Sequence, residues 1–190
     1  MTTGQDELTN IAREVRGCTK CPLWESRVNA VPGEGPATAQ ILIVGEAPGR
    51  TEDLHGRPFV GSAGRNLESF LREAGIDRRQ GVFITNTVKC RPESNRRPNR
   101  KELDTCYQYL RRQIELISPR FVVLLGDVAL KEFFPDSHLS EVHGRVLKKN
   151  RYSFFPTYHP AALLRNPSLK REAWEDMQRV RDTLNARTGI

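Results

Sequence analysis

Four cysteines are the residues whose type and spacing speak first of chemistry. Cys18 and Cys21 form a Cys-x-x-Cys near the start of the chain, and after a long gap Cys90 and Cys106 bracket the stretch "CRPESNRRPNRKELDTC". Four thiolates within tetrahedral reach hold either zinc or an iron–sulfur cluster. The second pair is too widely spaced for a zinc-ribbon knuckle, whose cysteines sit about two to four residues apart. A larger cluster accepts ligands from a loop and a helix more readily than one ion does. Unligated core cysteines are the third reading. The residues around the second pair are basic: Lys89, Arg91, Arg96, Arg97, Arg100 and Lys101 crowd into one short region, whereas a solvated face usually mixes its signs. A loop anchored at both ends by ligands would present those cations in fixed positions. The formal net charge of +7 agrees with a polyanionic partner, because neutralised phosphates release their counterions.

Such residues need elements to position them. "AQILIVGEAPG" holds a buried strand over 41–44 followed by a loop rich in Gly and Pro, and "VFITNTV", "FVVLLG" and "YSFFPTYHP" supply three more strands. Helices are expected up to Arg16, and in "GSAGRNLESFLREAG", where Leu67, Phe70, Leu71 and Ala74 recur at helical spacing before Gly75. From Arg100 to Ile117, residues Leu103, Cys106, Leu110, Ile114 and Ile117 share one helical face, and Asn99 with Glu102 resembles a capping arrangement. "DVALKEFF" reads as a short helix, and a last helix runs from about Ser168 into the final ten residues. Strands alternating with helices predict a parallel sheet covered on both faces. In such folds the loops at the carboxyl ends of the strands carry the ligand site, and "GEAPG", "TN" and "HPAALLR" all fall there.

A chain of 190 residues suits one well-cored domain. With 37% hydrophobic and 28% charged residues it reads as soluble and globular. No apolar run approaches the roughly 20 residues that span a bilayer. "MTTGQDELTN" lacks the basic-then-apolar order of a secretory signal. The expectation is a cytoplasmic protein without membrane contact, and in the cytosol thiols serve more often as ligands or catalysts than in disulfides.

The segments "GEAPGRTEDLHGRPFVGSAG", "ITNTVKCRPESNRRPNRKELDTC" and "HPAALLR", in that order and with the four-cysteine pattern, resemble the family 4 uracil-DNA glycosylases. This is the iron–sulfur branch of the uracil-DNA glycosylase superfamily, and the resemblance extends from Cys18 to the last helix. It implies a three-layer α/β/α sandwich with a short central parallel sheet, forming a single domain over residues 1–190. It also implies a [4Fe-4S] cluster on Cys18, Cys21, Cys90 and Cys106, joining the N-terminal turn to the 90–106 loop-helix. The activity implied is removal of uracil from single- or double-stranded DNA in base excision repair, by a monomer associated with the nucleoid.

An enzyme acting on a base within a duplex must take that base out of the stack. On the resemblance, Phe59 stacks on the extruded uracil, and Asn86 reads its Watson–Crick edge, with an acceptor for N3–H and a donor for O4. His159 contacts O2 as charge builds on the departing base. Gly45, Glu46 and Ala47 of "GEAPG" lie close to the base and the attacking water. The best-known branch of the superfamily has an aspartate where Ala47 aligns, so Glu46 is expected to position the water or contact the uracil. Leu163 and Leu164 stand where the superfamily inserts an apolar wedge, Arg165 faces a phosphate, and Arg91, Arg96 and Arg97 belong to the DNA-facing loop. Glu52 and Asp53 are expected to order their loop. His55, His138 and His143 match no functional position.

Three competing readings make different demands on the residues. A uracil binder that links covalently through a histidine-bearing basic loop would need a histidine after Cys90, and "RPESNRRPNRKEL" has none. An iron–sulfur nucleic-acid-binding module has no need of Phe59, Asn86 and His159 together. A nucleotide-phosphate enzyme using "GEAPG" or "GSAGR" as an anion loop lacks the Walker lysine pattern.

Overall fold

The computed structural model describes residues 3–186. The helices are α1 (Gly4–Arg16), α2 (Leu23–Ser26), α3 (Arg50–His55), α4 (Ser62–Glu73), α5 (Arg100–Ile117), α6 (Gly126–Phe133), α7 (Leu139–Val142), α8 (Pro160–Arg165) and α9 (Lys170–Asn185). The strands are β1 (Ile41–Gly45), β2 (Val82–Asn86), β3 (Phe121–Leu125), β4 (Leu147–Lys149) and β5 (Tyr152–Thr157). They form one sheet in the order β2-β1-β3-β5-β4, parallel except for β4, which pairs antiparallel with β5.

Alternation along the strands assigns the two faces. Leu42, Val44, Val122, Leu124 and Phe154 pack with the apolar stripes of α1, α5 and α6. Ile41, Ile43, Val123, Leu125 and Phe155 pack on the other face with Leu67 and Leu71 of α4 and Met177 and Val180 of α9. β1, β2 and β3 are buried on every residue, which is why they read as continuous apolar runs. The three-layer sandwich is thus present as expected.

α5 begins where the sequence places it. Asn99 Oδ1 accepts from Glu102 N at 3.0 Å, and the Glu102 carboxylate accepts from Asn99 N at 2.8 Å. The stripe Leu103, Cys106, Leu110, Ile114 and Ile117 is buried throughout. α9 starts two residues later than expected because Pro167–Leu169 forms a separate turn, and the expected continuation beyond Ala186 lies outside the described residues. β4 has only three residues, too few to show an alternating pattern, and its lysines suit a sheet edge. Among the described residues no helix is long and apolar enough to cross a membrane.

Candidate active site

β1 and β2 lie side by side, with Gly45 paired to Asn86 at their carboxyl ends. Beyond those ends opens a cavity of about 330 Å³, lined by Glu46, Ala47, Phe59, Asn86, His159 and Arg165 among others. Sheet topology explains the place: the chain leaves β1 towards β2 on one side and β3 towards β5 on the other, so the loops that leave β1 and β3 part and leave a crevice. Gly45 keeps it open, because a Cβ there would stand 2.7 Å from the Phe59 ring and collide with Asn86 Oδ1.

Asn86 is buried at the last position of β2. Its backbone carbonyl accepts from Lys89 Nζ at 2.8 Å, and the same ammonium donates to Thr85 Oγ1 at 2.5 Å and Gln113 Oε1 at 2.9 Å. Its side-chain oxygen is different: Asn86 Oδ1 is buried without a hydrogen-bond partner among the described residues. A buried acceptor left so costs about 1–3 kcal/mol, and such a group calls for a ligand or water.

His159 caps α8, its Nδ1 accepting from Ala161 N at 3.1 Å. That bond leaves the proton of the neutral ring on Nε2. Burial, aided by the positive charge of Arg165, pushes the His159 pKa down to about 4, so the ring is a neutral donor at physiological pH. The Phe59 ring stands 5.6 Å from it, centroid to centroid. Burial raises the Glu46 carboxyl above its ordinary value, while Arg97 and Arg165 oppose that shift. One cavity therefore gathers an aromatic face, an unpaired acceptor, a neutral imidazole donor and a carboxyl group. This is equipment for a flat polar heterocycle whose departure leaves negative charge.

The uracil DNA glycosylase superfamily matches the chain over residues 32–178. The type-4 uracil-DNA glycosylase of Sulfurisphaera tokodaii is 46% identical over 187 residues, covering 93% of this chain and 84% of that protein. The type-4 enzyme of Thermotoga maritima is 43% identical over 187 residues, with 95% and 96% covered. The chain belongs to the type-4 uracil-DNA glycosylases. A type-5 uracil-DNA glycosylase of Pyrobaculum aerophilum is more distant, 31% identical over 158 residues, 74% of this chain and 69% of that one.

In this type-4 chain the four cysteines, separated by up to 88 positions in sequence, line one small cavity together with Lys89 and Tyr109. All four are free thiols. Arg27 Nη1 donates to Cys90 Sγ at 2.9 Å, a partner that sequence reasoning missed. Burial pushes the Cys106 thiol up to about 12, with Lys89 opposing. Burial also raises Cys21 and Cys90. Among the described residues no three His, Cys, Asp or Glu side chains are grouped to hold a metal ion.

Several residues expected to face DNA stand otherwise. Leu163 is fully buried in the core and is unavailable as a wedge, whereas its neighbour Leu164 is 49% exposed. The helical turn of α8 decides this, because adjacent residues point to different faces. Lys89 is not part of an exposed cationic loop either; it is buried behind Asn86. A lysine directly following an apolar strand and "TNTV" is the signal that would have shown it. Arg96 grips buried Glu102 with both nitrogens, at 2.9 and 2.6 Å. Arg97 pairs with Asp127 at 2.8 Å, Arg91 donates to Asn95 Oδ1 at 2.8 Å, and Arg100 bonds to Asp104. Arg165 is exposed at the rim of the cavity. The basic run is thus largely paired within the protein, which holds its loop in shape.

Proposed function

We propose that the protein turns uracil out of single- or double-stranded DNA and hydrolyses its N-glycosidic bond, leaving an abasic site for base excision repair. The observation that carries this reading is Asn86, whose buried Oδ1 has no partner among the described residues, lining the same cavity as Phe59 and His159. Uracil supplies what that oxygen lacks: its N3–H donates to Oδ1 while Asn86 Nδ2 donates to O4. Cytosine presents an acceptor at N3 and an amino group at the neighbouring position, so both contacts fail. The names of the type-4 relatives support the same assignment.

Phe59 stacks on the extruded base. The bond from C1′ to N1 then breaks, its electron pair moving into the uracil ring and towards O2. His159 Nε2–H donates to O2, stabilising charge that exists only late in the cleavage. Water adds hydroxide to C1′ and its proton completes the departing base. Glu46 holds that water or the base edge; a dissociative path needs little activation of the nucleophile, so Ala47 in place of a carboxylate is compatible with turnover. Leu164 occupies the vacated position in the stack and Arg165 contacts a phosphate; Arg91, Arg96 and Arg97 are held by partners within the protein, and the faces that Arg96 and Arg97 leave exposed meet the DNA backbone beyond it.

Cys18, Cys21, Cys90 and Cys106 fit a [4Fe-4S] cluster. What supports it is that the four thiols, from the N-terminal turn, the segment after β2 and α5, line one cavity. Thiols that burial keeps protonated also need a strong positive centre to become thiolates. Such a cluster would tie the N-terminal turn to Cys90 and α5 within one domain over residues 1–190; the chain's action as a monomer is a separate part of the proposal.

The test is incubation with an oligonucleotide bearing one uracil, followed by alkali. Strand scission at uracil, and none in thymine or cytosine controls, is expected. Intact strands would sink the assignment.

A further inference from the structure

Phe59 is presented to the cavity from a left-handed backbone, φ +50°. A bulky side chain holds that conformation only where its surroundings over-determine it. Here its own carbonyl, the carbonyl before it and the amides after it are all fixed. Arg78 Nη1 donates to Phe59 O at 3.0 Å and Nη2 to Pro58 O at 2.8 Å. Glu52 Oε1 accepts from Val60 N at 2.9 Å and Gly61 N at 2.8 Å. The first turn of α4 closes the third side, where a Cβ on Gly64 would collide with the Phe59 carbonyl.

Arg78 differs from the other contacts. It comes from the connection between α4 and β2, outside the segment it holds, and its side chain is only 16% exposed. Behind Phe59 lies a second cavity of about 560 Å³, lined by Phe59, Val60 and Arg78 among others. Without the guanidinium, the strained segment has space to relax into and two carbonyls without their donors.

We infer that Arg78 is a positioning residue for uracil excision, acting through Phe59. Its planar fork fixes the carbonyls of Pro58 and Phe59, and so the angle at which the ring meets the extruded base. A lysine can donate to two carbonyls, as Lys89 does to its acceptors, but from a single centre on a flexible stem it does not fix their relative orientation as the planar fork does. The inference rests on reading the 330 Å³ cavity as the uracil pocket.

A double-mutant cycle tests it. Wild type, Arg78→Met, Phe59→Ala and the double variant are compared on a uracil oligonucleotide, with kcat and KM resolved and inhibition by free uracil measured. Arg78→Met is expected to lower kcat/KM about tenfold and to weaken free-uracil inhibition, yet to cost less than about twofold once Phe59 is alanine. Equal fold losses in both backgrounds would overturn the inference, since Arg78 would then act independently of the ring. Arg78→Lys, measured in parallel in case the methionine variant does not fold, is expected to show a smaller loss with the same dependence on Phe59. Equal losses for it in both backgrounds would be equally damaging. A wild-type protein inactive on uracil would instead overturn the reading of the pocket, and the inference with it.

Discussion

Asn86 is held from two sides before any base arrives: the β1–β2 ladder fixes its backbone, and Lys89 grips its carbonyl. A side chain so constrained reads hydrogen-bonding pattern rather than shape. Asn86→Asp replaces the donor facing uracil O4 with an acceptor. Uracil excision should fall at least about tenfold, equivalent to about 1.4 kcal/mol of lost transition-state binding, with circular dichroism unchanged. Wild-type rates in a folded variant would show that the base is read elsewhere. His159 acts on charge rather than identity and also leaves a mark on stability. Its folded pKa of about 4 lies below the ordinary 6.5, so between those values the unfolded chain binds a proton that the folded chain does not. Its contribution is complete above about pH 6.5 and is lost as pH falls through that window to about 4. Melting temperatures of wild type should therefore drop more steeply from pH 6.5 to 4 than those of His159→Gln. Parallel curves would contradict a buried neutral ring.

At the scale of elements, the amino end of α5 organises the segment between Cys90 and Cys106. Glu102 caps the helix through Asn99 N and receives both Arg96 nitrogens from the loop before it, while itself buried. One carboxylate thus fixes both the helix start and the path of the basic loop, and Arg96 in turn holds it ionised, below its ordinary pKa. Glu102→Ala removes a cap contact and frees a half-exposed arginine that water can solvate. A loss of about 1–2 kcal/mol is expected in chemical denaturation, together with faster proteolysis within 91–99. An unchanged loop susceptibility would mean that the cysteines alone hold the segment.

For the molecule as a whole, the cysteines join regions that the sheet does not. α1 packs on α5, but the turn carrying Cys18 and Cys21 has no strand of its own. Metal ligation there would contribute folding free energy directly, because a preformed site is absent from the unfolded chain. Anaerobically purified protein is expected to be brown, with about four iron and four sulfide per chain. Cys90→Ser should lower iron content, visible absorbance and melting temperature together. Zinc in place of iron after such a preparation would overturn the cluster.

The sequence by itself determined the four parallel strands, though not the antiparallel edge strand β4, together with the principal helices and the residues that converge at the carboxyl ends of the strands. Those features follow from local periodicity, from the Asn99–Glu102 cap and from motif order, all carried by neighbours in the chain. It did not separate Leu163 from Leu164, because two adjacent leucines look alike until packing buries one and exposes the other. Nor did it reveal that Lys89 supports Asn86 from behind, or that Arg96 and Arg97 are paired with Glu102 and Asp127. A count of charges says nothing of where each side chain ends. The role of Arg78 was equally invisible, since the carbonyls it grips lie 19 and 20 positions away. Those contacts exist only once α4 and β2 have packed, so only the tertiary structure decided them.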